Sequence, residues 1–227
     1  MNDLQSFWNE NSARIPGDKG HSLYAAETEQ RFPRTSVVVD LGGGTGTDSL
    51  YFIDQGHSVI LVDIADEPLA RAKEQAQKRG LGDKLQTLQC DFSSGTLPLE
   101  NEACDIVYSR LALHYFESPT LTKLLAEIYR ILRPNGQAYL TLKSPDDTVE
   151  MEFLATTATQ KEAGVFEEKG RIKTRYSTAR LQQILSDAGL PTDAYSVTSY
   201  TEKLGNANDI VKSGKSEFIV NEISIRK

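Results

Sequence analysis

Residues 36–46 read SVVVDLGGGTG. The first six form a short β-branched run without alternation, the pattern of a parallel strand buried on both faces. The run closes on Asp40-Leu41 and gives way to four glycines, Gly42, Gly43, Gly44 and Gly46. Glycine admits left-handed backbone and removes the side chain that would hold a ligand away from the chain. The glycines open a helix through Thr47 to Gln55, which Gly56 stops.

The same alternation continues outward. SVILVDI (58–64) is a second buried strand, and Leu69, Ala72, Lys73 and Ala76 give an amphipathic helix closed by Gly80. LQTLQC (85–90) and CDIVYS (104–109) read as the third and fourth strands. Leu121, Leu124, Leu125, Ile128, Ile131 and Leu132 recur at helical spacing until Pro134-Asn135-Gly136, and a fifth strand is expected over Gln137–Lys143. Leu181, Ile184, Leu185 and Ala188 predict a further helix. Alternating runs over Ala194–Thr201 and Glu217–Ile225 can then pair antiparallel. Upstream of it all, Leu4, Phe7, Trp8 and Ile15, then Leu23, Tyr24, Ala26 and Phe32, predict two helices with a turn at Pro16-Gly17. Such a chain folds as a doubly wound, mostly parallel sheet with helices on both faces. Its chemistry belongs at the carboxyl ends of the strands.

Three acids stand at those ends. Asp40 closes the first strand, Asp63 the second and Asp91 the third. A carboxylate after the second strand can accept from both hydroxyls of a ribose. Asp91 followed by Phe92 offers an acceptor and an apolar face to an adenine ring, although Asp91 could equally cap a turn with Ser93 or Ser94. A dinucleotide fingerprint would place glycines at 42, 44 and 47, and position 47 is Thr. Asp48, in the first turn of the following helix, repels a pyrophosphate and leaves a phosphate-free ligand unpenalised.

Taken in order, VVVDLGGGTG, VILVDI, LQCDF, CDIVYSRLALHYF and LRPNG resemble the class I S-adenosylmethionine (SAM) dependent methyltransferases, in particular those acting on small molecules. The resemblance implies a Rossmann-like seven-stranded sheet with the last strand antiparallel, and SAM (S-adenosyl-L-methionine) as cofactor. It implies that Asp40 helps hold the methionine amino group and that the turn of Gly42, Gly43, Gly44 and Gly46 passes under the cofactor. Asp63 would bind ribose, Ile64 would pack on adenine, and Asp91 with Phe92 would hold the adenine edge. Ser109 would approach the methionine end through its backbone. On the substrate side it suggests His114, Tyr115 and Tyr24, with core packing as the alternative for Tyr24. His114 is the best base if one is used, with a packed core histidine as the alternative. Residues 1–33 would form a helical lid and 146–176 a substrate-side insertion in one methyltransferase domain spanning 1–227.

Methyl transfer from a sulfonium is an in-line displacement in which positioning supplies much of the rate, about 7 to 11 kcal/mol, so no catalytic side chain is required. A nicotinamide oxidoreductase shares the glycine turn and Asp63 but leaves Asp91-Phe92 unexplained, and a non-catalytic SAM-binding protein is the third reading.

Composition narrows the partners. Lys and Arg total 25 against 32 Asp and Glu, a net charge of −7 that disfavours nucleic acid. The basic stretch KGRIKTRYSTAR (169–180) reads as a solvated approach to the next helix. The Asn/Asp-Pro-Pro-aromatic motif of base-methylating relatives is replaced by Ser109-Arg110-Leu111. No apolar run nears the ~18 to 20 residues of a membrane span, and the opening residues lack the pattern of a signal peptide, so a cytoplasmic protein is expected. Cys90 and Cys104 read as buried thiols, without the spacing of a metal site.

Overall fold

A computed structural model describes residues 3–14, 20–204 and 216–227. The strands are β1 (Val37–Leu41), β2 (Ser58–Asp63), β3 (Leu85–Gln89), β4 (Cys104–Arg110), β5 (Leu132–Lys143), β6 (Thr159–Glu162), β7 (Val165–Glu168), β8 (Arg171–Thr174), β9 (Tyr195–Lys203) and β10 (Glu217–Arg226). The helices are α1 (Asp3–Ala13), α2 (Leu23–Glu29), α3 (Thr47–Asp54), α4 (Asp66–Lys78), α5 (Ser118–Ile131), α6 (Thr148–Thr157) and α7 (Thr178–Asp187). Seven strands form one sheet in the order β3-β2-β1-β4-β5-β10-β9, in which β10 alone runs antiparallel to the other six.

Successive residues of a strand point to opposite faces, so a strand buried on both sides serves two cores. Val38 and Ile106 join Phe52, Leu69, Ala72 and Ala76 under α2, α3 and α4. Val39 and Val107 join Leu121, Leu124, Leu125, Ile128, Leu181 and Ile184 under α5 and α7. Each fully buried leucine of α5 contributes about 1.5–3 kcal/mol of transfer free energy, which is what the helical spacing in the sequence secures.

Four details depart from the sequence reading. Leu132 begins β5 instead of ending the helix, because Pro134 excludes Arg133 from helical backbone. Arg133 is then pinned to Asp105 by two hydrogen bonds of 3.0 Å. Within 146–176 lie α6 and a second sheet, β6-β7-β8, whose tight turns carry Gly164 at φ 77° and Lys169-Gly170 at φ 52° and 74°. The basic stretch is no solvated approach: it builds β8, buries Arg175 and pairs Lys173 with Glu168 at 2.6 Å. Cys104 is buried, whereas Cys90 is only partly so. The turn expected at Pro16-Gly17 lies outside the described residues. Among the described residues no helix is long and apolar enough to cross a membrane.

Candidate functional site

Strand order reverses between β1 and β4, which opens a crevice at their carboxyl ends. The chain leaves β1 through the glycine turn, held by Gly42 N–H donating to Val62 O at 2.7 Å and Gly46 N–H to Gly43 O at 3.0 Å. Each glycine has its own reason. A Cβ on Gly42 would lie 2.3 Å from Ala112 Cβ, and one on Gly43 would lie 2.4 Å from the Asp40 carboxylate. Gly46 lies off the ligand side, because its Cβ would press on Ala72 at 2.8 Å and Leu61 at 3.0 Å. Gly44, at φ 56°, faces open space, so the backbone itself forms the cavity wall there.

Two adjoining cavities share Trp8, Gly42 and Asp63. The first, about 230 Å³, presents three carboxyl groups, Asp40, Asp48 and Asp63, with Thr45, Thr47, Tyr108 and Arg110. The second, about 310 Å³, is a mostly apolar slot between Ile64 and Phe92 on the sheet side and Leu111, Ala112, Tyr115 and Phe116 beyond, with Asp91 and Ser93 at its edge. A cationic, hydroxyl-bearing group suits the first and a flat heterocycle the second.

Helix α1 covers both. Trp8 packs edge-on against Tyr115 at 5.0 Å between ring centres, and Phe7 sits under the Arg171 guanidinium at 3.4 Å. Gln5 and Asn9 donate to Asp66 at 2.9 and 2.8 Å, fastening α1 to the first turn of α4. Gly170, Arg171 and Ile172 of the small sheet complete the slot.

Asp63 accepts from Gly44 N–H through Oδ2 and from Ala65 N–H through Oδ1, both at 2.9 Å, and lines both cavities. Asp91 caps the following turn through Ser93 N–H at 2.9 Å, as the capping reading expects, and it also lines the slot. Ser109 departs from expectation: fully buried, it donates its hydroxyl to Leu41 O at 2.8 Å and braces β4 against β1, and its neighbour Arg110 reaches the cavity. Tyr24 and His114 also depart from it, since neither lines these cavities and each is 2% exposed. Tyr24 stacks on Tyr108 in the core. His114 packs on Tyr115, and burial, reinforced by Arg175, Lys143 and Lys173, holds its imidazole well below the usual range, hence neutral. Of the substrate-side residues only Tyr115 reaches a cavity wall.

Sequence reasoning did not assign Arg110, Trp8 or Arg171 to the site. Trp8 carried only a helix-packing signal, and the arginines became visible once pairing partners far along the chain were known.

Asp40 is 1% exposed and accepts from Ser49 Oγ at 2.6 Å. Burial pushes its carboxyl up to about 8; the Ser49 hydrogen bond opposes the rise, and the Asp48 and Asp63 carboxylates add to it. The folded chain therefore holds a proton at pH 7 that the unfolded chain, ionising near ~3.9, has released. Stability contributed here is complete below about pH 4 and is lost as pH rises toward about 8. Asp40→Asn keeps an acceptor for Ser49 and removes the dependence. Discounted for the aqueous cavity it borders, the variant should match the parent near pH 4 and exceed it by about 1–2 kcal/mol at pH 8. Urea denaturation at both pH values checks this, and equal stabilities at pH 8 would refute it.

Residues 38–136 match the family model described as a methyltransferase domain. The malonyl-[acyl-carrier protein] O-methyltransferase of Pectobacterium atrosepticum is 39% identical over 107 residues, 46% of this chain and 38% of that protein. The tRNA 5-carboxymethoxyuridine methyltransferase of Escherichia coli (strain K12) is 27% identical over 139 residues, 61% of this chain and 52% of that protein. The chain thus spans about half or less of the length of these relatives. Among solved structures, a Burkholderia thailandensis 1,6-didemethyltoxoflavin-N1-methyltransferase with S-adenosylhomocysteine bound superposes with a TM-score of 0.69 at 20% identity, over 99% of this chain and 87% of that one. A SAM-dependent methyltransferase from Methanosarcina mazei superposes with a TM-score of 0.70 at 18% identity, over 88% and 96%. Residues 38–136 thus match a methyltransferase domain, and the chain has the fold of the SAM-dependent methyltransferases on which it superposes.

Proposed function

We propose that this chain is an enzyme that transfers a methyl group from SAM to an O, N or C nucleophile of a small molecule. One observation carries the reading: a cavity walled by bare glycine backbone and three carboxyl groups runs into an apolar slot edged by a fourth. When bound, SAM would supply the sulfonium-activated methyl group. Asp40 would hold the cofactor's amino group, and Asp63 would accept from its ribose hydroxyls. Gly42, Gly43 and Gly44 let the ligand lie on the backbone. Ile64 would pack on the adenine, Asp91 with Phe92 would hold its edge, and Tyr115 with Trp8 would close the slot. Ser109 and Gly46 keep the strand ends and the turn in register.

Asp48 supports SAM over a pyrophosphate cofactor. It lies in the first turn of α3 and lines the first cavity, where a phosphate would need the helix end. The 1–33 segment acts as lid, and the 146–176 insertion closes the substrate side of what we read as one methyltransferase domain. Relatives carry names that point to tRNA and to malonyl-[acyl-carrier protein]. The net charge of −7 supports a small acceptor over nucleic acid, in a cytoplasmic setting.

Calorimetric titration of purified protein, freed of any co-purified ligand, with SAM, S-adenosylhomocysteine and NAD(H) tests the reading. Micromolar binding of the first two, about −8 kcal/mol, with none of the third is expected. NAD binding alone would overturn it, and turnover to S-adenosylhomocysteine with an acceptor separates the enzyme from a mere SAM binder.

A further inference from the structure

Arg110 ends β4 and lines the carboxylate cavity with a side chain only 15% exposed. Its Nε donates to Glu202 Oε1 at 2.6 Å, and Glu202 on β9 is itself 3% exposed. The pair fixes the plane of the guanidinium. Nη1 and Nη2 have no hydrogen-bond partner among the described residues.

The cavity's own carboxylates are otherwise engaged. Asp48 takes Ser22 N–H at 2.7 Å, Ser22 Oγ at 2.9 Å and Tyr108 Oη at 2.8 Å. Asp40 takes Ser49, and Asp63 takes Gly44 and Ala65. A largely buried guanidinium with its outer donors unspent is costly unless a ligand completes it. The group whose two oxygens match that planar fork is a carboxylate.

We infer that Arg110 is a carboxylate receptor inside the cleft: Nε is anchored by Glu202, and the Nη pair grips a carboxylate belonging either to the cofactor's amino-acid end or to the methyl acceptor. This rests on the methyltransferase reading. In the second case, the acceptor is an organic acid whose charge is neutralised beside the sulfonium. Glu202 is then a positioning residue that sets the fork's angle.

The test separates the two sources. Arg110→Gln alone removes the guanidinium that meets buried Glu202, so the balanced double variant Arg110→Gln/Glu202→Gln is used, with thermal melting to verify folding. Ligands are S-adenosylhomocysteine, 5′-methylthioadenosine, which lacks the amino-acid end, and malonate added to protein saturated with S-adenosylhomocysteine. If the receptor serves the cofactor, S-adenosylhomocysteine weakens by about tenfold or more while 5′-methylthioadenosine is unchanged. If it serves the acceptor, both nucleosides bind as before, and the malonate binding seen in the parent is lost. Unchanged nucleoside binding together with malonate binding equal in parent and variant, or absent from both, overturns the inference. A parent that binds no S-adenosylhomocysteine fails at the earlier step, the cofactor reading itself.

Discussion

Replacing Glu150 with alanine should destabilise the protein by about 3–5 kcal/mol, the cost of stranding buried charge. Glu150 sits in the first turn of α6 and holds two cations. Its Oε2 meets Lys143 Nζ at 3.0 Å, and its Oε1 meets Arg175 Nη2. Arg175 is 1% exposed on its side chain and also donates Nη1 to Thr174 O at 2.7 Å. Take away the carboxylate and two cations from β5 and from the end of β8 face each other without a counter-charge. Burial already lowers the Lys143 ammonium from its usual range, with Arg175 contributing, and Glu150 is what opposes that fall. Glu152→Ala, an exposed position on the same helix, should stay within about 0.5 kcal/mol. Equal denaturation midpoints for the two variants would show that the cluster contributes nothing.

The same cluster gives an acid signature. Burial alone would raise the Glu150 carboxyl, but Lys143 and Arg175 outweigh it and hold it at about 2. Its contribution is therefore fully present above the unfolded value near ~4.3 and is lost as pH falls toward about 2. The functional consequence follows from position. The small sheet that Arg175 leads out of also supplies Gly170–Ile172 to the apolar slot, so the ion cluster fastens a cavity wall to the end of β5.

The parallel core was legible because burial on both faces demands continuous apolar runs and because glycine and proline punctuate them. SVVVDL and SVILVDI could hardly be anything else. The acids at strand ends were legible for a related reason: topology alone carries Asp40, Asp63 and Asp91 to one edge of the sheet, whatever the side chains do. The β6-β7-β8 sheet was not. Its strands are four residues each, β6 is fully exposed, and the signal available was a pair of two-residue glycine turns, Ala163-Gly164 and Lys169-Gly170. Arg110 escaped because a search for acids passes over a basic residue whose partner, Glu202, lies 92 positions away. Tyr24 and His114 show the reverse failure. Chain position puts both near the cleft, but side-chain direction, which sequence spacing does not report for loops and short helices, turns both into the core.

Asp63→Ala should weaken binding of S-adenosylhomocysteine by about 1.5–3 kcal/mol or more, roughly 10- to 150-fold, if this carboxylate grips the ribose. The side chain is 9% exposed, so a hydroxyl meeting it does so largely away from competing water. Its two backbone donors, Gly44 and Ala65, occupy one lone pair on each oxygen and fix the carboxylate's plane, leaving the outer lone pairs to the ligand. Those donors also mean that alanine slackens the glycine turn, so a thermal melt must accompany the titration. The decisive comparison uses 5′-methylthioadenosine, which keeps the ribose and lacks the amino-acid end. The Asp63 variant should lose both nucleosides to the same degree, because both carry the group it holds. Loss of S-adenosylhomocysteine with full retention of 5′-methylthioadenosine would remove Asp63 from the ribose and move it to the amino-acid end. An unchanged dissociation constant for both would remove it from the site.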